Sequence, residues 1–136
     1  MVIDRYYCSG CVYSAAKANP LLDLAWSRGP EEGLPRPDIC IFLDIAESEA
    51  AKRGGYGGER YESTKMQKEV RRLFEYFRTN SPEAADFETV DGGRTEDEVA
   101  ASVLEKANEA IEKISRTNTK LRRIEQWKDA DKAQTP

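Results

Sequence analysis

Ile39-Cys40-Ile41-Phe42-Leu43, then Lys52-Arg53-Gly54-Gly55-Tyr56-Gly57-Gly58-Glu59-Arg60-Tyr61-Glu62, then Ser63 to Arg78, form the stretch from which the architecture is read. The first run is continuously apolar, the pattern of a strand buried on both faces. The second holds four glycines and two arginines between residues 53 and 60. Glycine loses too much backbone entropy to sit in a helix or strand interior, so this is a loop that carries cations. In the third, Met66, Val70, Leu73, Phe74 and Phe77 recur at helical spacing. A buried strand, a short helix, a basic glycine-rich loop and a long helix together predict a lid, about residues 50–67, over an anionic ligand.

Toward the amino terminus, Met1-Val2-Ile3 predicts a strand that ends at Asp4-Arg5-Tyr6. Ser9-Gly10 predicts a turn and Val12 to Ala18 a short helix, which Asn19-Pro20 breaks. Leu21 to Trp26 is a second helical piece, and Gly29 to Pro37 a stiff loop feeding the strand at Ile39. Beyond the long helix, Asn80-Ser81-Pro82 is a break and Phe87 to Val90 a strand, turned by Asp91-Gly92-Gly93. Thr95 and Glu98 form a capping box before a helix whose apolar face is Val99, Val103, Leu104, Ala107, Ile111 and Ile114. From Arg116 the chain is charged and weakly amphipathic, a solvated helix or a frayed tail. Strands alternating with helices predict an α/β fold with parallel strands joined by crossovers. Ligands in such folds sit at the carboxyl ends of the strands. Asp4-Arg5, the lid, and Asp91 to Arg94 occupy those ends, which points to nucleotide or phosphate chemistry.

The 136 residues have the length of one domain, and a net charge of −4 with a pI near 5.1 argues against a nucleic-acid binder. Lys52 to Arg78 nevertheless holds eight Lys or Arg against four Asp or Glu, so basic charge gathers around the lid. A small phosphorylated ligand suits that bias, as does a solvated helix face. Without a signal peptide or an apolar run of membrane-spanning length, the expectation is a soluble intracellular protein with no membrane partner. Three cysteines make no disulfide framework, and the absence of histidine excludes Ser-His-Asp and Cys-His catalysis within these residues. Cys8-Ser9-Gly10-Cys11 admits a thiol redox pair at a helix start, although nothing downstream continues a thioredoxin-like pattern.

Asp4-Arg5-Tyr6, Ser9-Gly10, Ala15-Ala16-Lys17, Gly33-Leu34-Pro35-Arg36-Pro37-Asp38, Ala50-Ala51-Lys52-Arg53-Gly54, Gly57, Glu59-Arg60-Tyr61-Glu62 and Gln67 resemble, in order and nearly in spacing, the thymidylate kinase family of eukaryotic type. The resemblance covers roughly residues 2–115. It implies the P-loop nucleoside monophosphate kinase fold, a parallel sheet flanked by helices. It also implies transfer of the γ-phosphoryl of ATP to dTMP with Mg²⁺, in dTTP biosynthesis. By the same resemblance Arg5 grips the acceptor phosphate, Ser9 and Gly10 lie beside that nucleotide, and Tyr13 packs under the deoxyribose. Tyr61 and Gln67 approach the acceptor from the lid end, and Arg94 borders the adenine. Arg53 and Arg60 supply catalytic charge and ATP contacts when the lid closes and water leaves. A homodimer in the cytoplasm, or also in the nucleus, goes with the family.

One family motif is missing: no G-x-x-x-x-G-K-[ST] occurs here to hold the ATP phosphates. The chain therefore reads as the carboxyl-terminal part of such a kinase over residues 1–115, with a charged tail over 116–136. Alone it is expected to be inactive, and a non-catalytic nucleotide-binding or interaction fragment is the alternative.

Overall fold

The computed structural model describes residues 1–17, 19, 21–52, 64–117 and 120–132. These fall into two compact units that interleave along the sequence.

The first unit takes its residues from Met1–Pro35, Arg60–Ala85 and Arg123–Pro136. Helix α1 (Tyr7–Ala15) packs against α2 (Leu24–Arg28) and α4 (Thr64–Thr79). In α1, Tyr7, Cys8, Cys11 and Val12 are buried, the i, i+1, i+4, i+5 spacing of one helix face. Asp23 starts α2 by accepting the Trp26 N–H at 2.7 Å. From α4, Val70, Leu73, Tyr76 and Phe77 enter the same core. That helix ends at Asn80-Ser81-Pro82, where the Asn80 and Ser81 N–H groups both donate to the Tyr76 carbonyl and the Ser81 hydroxyl donates to Phe77 O. Proline disfavours helical backbone at the residue before it, which stops the helix at this point.

The second unit, Arg36–Glu59 and Asp86–Arg122, holds the sheet. Strands β1 (Cys40–Asp44) and β2 (Phe87–Asp91) pair parallel, Cys40 opposite Phe87 and Asp44 opposite Asp91. Helix α3 (Glu47–Lys52) follows β1, and α5 (Glu96–Thr117) packs on β2. The capping box forms: the Thr95 N–H donates to Glu98 Oε2 at 3.0 Å, and the Glu98 N–H to Thr95 Oγ1 at 3.4 Å. The Thr95 hydroxyl, which donates to Glu98 Oε2 at 2.6 Å, and then the Thr95 N–H hold the Glu98 carboxyl below its ordinary pKa. Gly92 turns β2 close to the end of β1, donating its N–H to Asp44 O at 2.7 Å. A Cβ at that position would stand 3.2 Å from the same oxygen, so only glycine fits without displacement. The Asp86 carboxylate, nearly buried, accepts from Arg36 Nε at 2.5 Å and Arg122 Nη1 at 2.9 Å.

Parallel pairing, the long α4 and the capped α5 agree with expectation, and four features do not. Residues 1–5 form no strand; Met1 and Val2 are fully exposed, and neither described strand offers them a backbone partner. Ser9 and Gly10 lie inside α1, not in a turn, because the burial of Tyr7, Cys8, Cys11 and Val12 favours starting the helix at Tyr7. Strand β1 is not covered on both faces: Leu43 is 52% exposed in a sheet of two described strands. The stretch expected to be solvated or frayed also enters the core, with Ile124 and Trp127 almost fully buried and a short helix α6 (Asp129–Lys132) after them.

Candidate functional site

Arg5 has a backbone φ of 60°, the one non-glycine residue with positive φ among those described. Left-handed backbone strains an L-residue and persists only where surrounding structure imposes it. Tyr6 follows Arg5 in the chain. It is extended (φ −134°), precedes the first turn of α1, and its hydroxyl donates to the Pro35 carbonyl at 3.1 Å. The Tyr6 and Tyr7 rings meet edge to face with centroids 5.4 Å apart, which ties Tyr6 to a core residue.

This geometry turns the Arg5 guanidinium over the Tyr13 ring, 5.8 Å from its centroid. Helical spacing puts Ser9, Gly10 and Tyr13 on the face of α1 opposite Tyr7, Cys8, Cys11 and Val12. A Cβ on Gly10 would meet nothing within 4 Å, so the space beside it is open. The structure therefore brings Arg5, Ser9, Gly10 and Tyr13 together: a cation, an aromatic face, a hydroxyl-bearing residue and an unobstructed glycine on one helix surface. Such a set can pair a phosphate with the cation while a flat apolar group rests on the ring.

Of the remaining expected residues, Gln67 and Arg94 are described. Gln67 lies in the first turns of α4, half-buried. Arg94 belongs to the second unit, where Nη2 donates to Ser102 Oγ of the following helix α5 at 2.8 Å. Arg53, Arg60 and Tyr61 lie outside the described residues.

The thiols occupy the other face. Cys11 is fully buried, donates its S–H to Ser27 O, and has its pKa pushed up by burial to about 12. A redox dithiol needs thiolate character and access, and Cys11 offers neither.

Two further constellations had no signal in the sequence. Arg28 and Glu83 form a salt bridge, each 2% exposed, with the Arg28 guanidinium 5.0 Å from the Trp127 ring centre. Trp127 Nε1 donates to both Glu83 oxygens, at 3.2 and 2.9 Å. Nearby, residues 33–35 and 123–124 run antiparallel: the Gly33 N–H donates to Ile124 O and the Ile124 N–H to Leu34 O, each at 2.9 Å. Gly33 takes a left-handed φ of 83° there, which glycine adopts without strain.

Comparison with known proteins covers most of the chain. The family described as Thymidylate kinase matches over residues 1–103. The thymidylate kinase of Schizosaccharomyces pombe is 39% identical over 105 residues, 76% of this chain and 49% of that protein. The thymidylate kinase of Dictyostelium discoideum is 34% identical over 118 residues, 87% of this chain and 50% of that protein. The human thymidylate kinase is 34% identical over 128 residues, 94% of this chain and 57% of that protein. A solved thymidylate kinase structure from Candida albicans superposes with a TM-score of 0.64 at 31% identity, over 79% of this chain and 54% of the other. The chain thus spans about half the length of the curated relatives it matches.

Proposed function

The chain belongs to the thymidylate kinase family, and from that premise we propose that it carries the acceptor side of an enzyme that phosphorylates dTMP to dTDP with ATP, in dTTP biosynthesis. Its fold is the α/β nucleoside monophosphate kinase fold, a parallel sheet flanked by helices. The observation that supports the acceptor role is the cluster at the start of α1, where a strained Arg5 overlies Tyr13 beside Ser9 and the open space at Gly10. Arg5 would pair with the dTMP phosphate, and Tyr13 would carry the deoxyribose on its ring. Because phosphoryl transfer depends on positioning and charge more than on covalent help, an arginine held in one conformation suits this task.

Arg53 and Arg60 would complete the cationic shell around the transferred group, Tyr61 and Gln67 would border the acceptor, and Arg94 the adenine. Mg²⁺ would accompany ATP and neutralise its phosphates. Among the described residues no three carboxylate or thiol groups come together to hold a metal, so no step is assigned to these residues through it. Lacking a P-loop, the 136 residues alone are expected to turn over no ATP. A homodimer and a cytoplasmic location, or a nuclear one as well, are further proposals from family likeness; no described helix is long and apolar enough to cross a membrane.

The test is dTDP formation by this chain combined with the amino-terminal half of a relative that contains a P-loop. Arg5→Ala should lower kcat/KM for dTMP by about 2–4 kcal/mol, as for loss of a charge-assisted contact. Arg5→Lys should recover only part, since a point charge replaces a planar fork. Kinetics for Arg5→Ala within about twofold of the unsubstituted protein would overturn the assignment.

A further inference from the structure

The Arg5 backbone is held from a distance. Tyr6 lies next to it in sequence, and its hydroxyl bonds to Pro35 O. Pro35 in turn pairs with Arg123 in the antiparallel bridge, flanked by the Gly33–Ile124 and Leu34–Ile124 hydrogen bonds. Arg123 Nη1 also donates to Gly33 O at 2.6 Å. Beyond the bridge, Ile124 and Trp127 are buried at 2% and 4% exposure. All these residues lie in the first unit. A continuous set of contacts therefore runs from the buried Ile124, through a two-stranded bridge, to the residue that follows the strained arginine.

We propose that Tyr6 is a positioning residue for Arg5, and that the segment 123–127 acts through it by fixing the Pro35 carbonyl. The inference rests on Arg5 as the acceptor-phosphate arginine proposed above. Its physical basis is that a left-handed φ at a non-glycine residue must be imposed from outside. The residue before Arg5 is an exposed aspartate in an unpaired segment and imposes nothing visible. The residue after it is clamped at both ring and hydroxyl. Releasing the hydroxyl frees Arg5 to relax toward ordinary backbone, carrying its guanidinium off the Tyr13 ring.

Tyr6→Phe tests this, because it removes one oxygen and keeps the ring contact with Tyr7. In the 136-residue chain, trypsin cleavage after Arg5 should become roughly three- to tenfold faster, the range of one net hydrogen bond. Cleavage after Arg71 and Arg72, within α4, should keep its rate and so report an intact fold. In the assembled kinase, Tyr6→Phe should raise KM for dTMP by a similar factor and leave KM for ATP unchanged. Ile124→Ala should reproduce the effect, and adding Tyr6→Phe to it should contribute little, as two steps on one route do. If Arg5→Ala weakens dTMP use while Tyr6→Phe changes neither cleavage after Arg5 nor KM for dTMP, the positioning role is wrong and the function stands. If Arg5→Ala itself has no effect, the site assignment and this inference fall together. Additive effects of Ile124→Ala and Tyr6→Phe would overturn the claim that segment 123–127 works through Tyr6.

Discussion

Truncating Glu83 should be among the most damaging single changes in this chain. Its carboxylate lies in the core of the first unit, 2% exposed, where it is ion-paired with Arg28 and accepts both bonds from the Trp127 indole. Glu83→Ala leaves a guanidinium, also 2% exposed, without its counter-charge and an indole N–H without its acceptor. Removing one partner of a buried pair costs about 3–5 kcal/mol. The orphaned N–H adds about 1 kcal/mol at most, since part of the same desolvation is already counted. A loss of about 3–6 kcal/mol is therefore expected. Glu83→Gln should lose less, because an amide oxygen can still accept from Trp127. The double variant Arg28→Met/Glu83→Leu should lie within about 2 kcal/mol of the parent, since a buried pair replaced as a whole avoids the uncompensated charge. Urea unfolding followed by tryptophan fluorescence and far-UV circular dichroism reads all three, with m-values checking that the unfolded states compare. A cost below about 1 kcal/mol for Glu83→Ala, or a double variant worse than either single one, would refute the reasoning.

Two further outcomes follow from the same packing. The Cys11 thiol has its pKa raised in the folded chain from an ordinary 9.0 to about 12, chiefly by burial. Its neutral form is therefore favoured on folding: the contribution is complete below pH 9 and is lost as pH rises from 9 to about 12. Stability measured across that window should fall, and Cys11→Ala should flatten the slope. Thr95→Ala removes the hydroxyl that caps α5 and should cost about 1 kcal/mol, visible as lost helix signal and an earlier urea midpoint.

Parallel pairing of β1 with β2 was legible because β1 is a short apolar run, β2 sets Phe87 and Val90 just before the Asp91-Gly92-Gly93 turn, and helical periodicity lies between them. The capping box was legible because its partners are three residues apart and need nothing else. The α1 face was only half legible. Ser9-Gly10 signals a turn locally, while the burial of Tyr7, Cys8, Cys11 and Val12 overrides that signal once a core exists to receive them. Nothing local marks Arg28, Glu83 and Trp127 as neighbours. Glu83 lies 55 residues from Arg28 and 44 from Trp127, and Trp127 stands in a charged stretch without periodicity. The strain at Arg5 was equally silent, since a backbone angle imposed through a neighbour's hydroxyl leaves no trace in residue spacing. Cation, hydroxyl and aromatic could be listed from the chain; their convergence on one face of α1 could not.

The interleaving of the two units has a consequence for synthesis. The first unit's core takes Tyr7, Cys11 and Val12 from one end of the chain and Ile124 and Trp127 from the other. A ribosome makes the early residues long before their packing partners exist. Domains ordinarily complete in order from the amino terminus, yet here the unit that begins first must close last. Until Trp127 emerges, α1 and α4 wait with their apolar faces open to water, a period in which a nascent chain is exposed to aggregation and to chaperones. The second unit, whose last residue is Arg122, can finish before them. Contacts of such long sequence separation also slow refolding, so dilution from denaturant should show late burial of Trp127 after the sheet has paired.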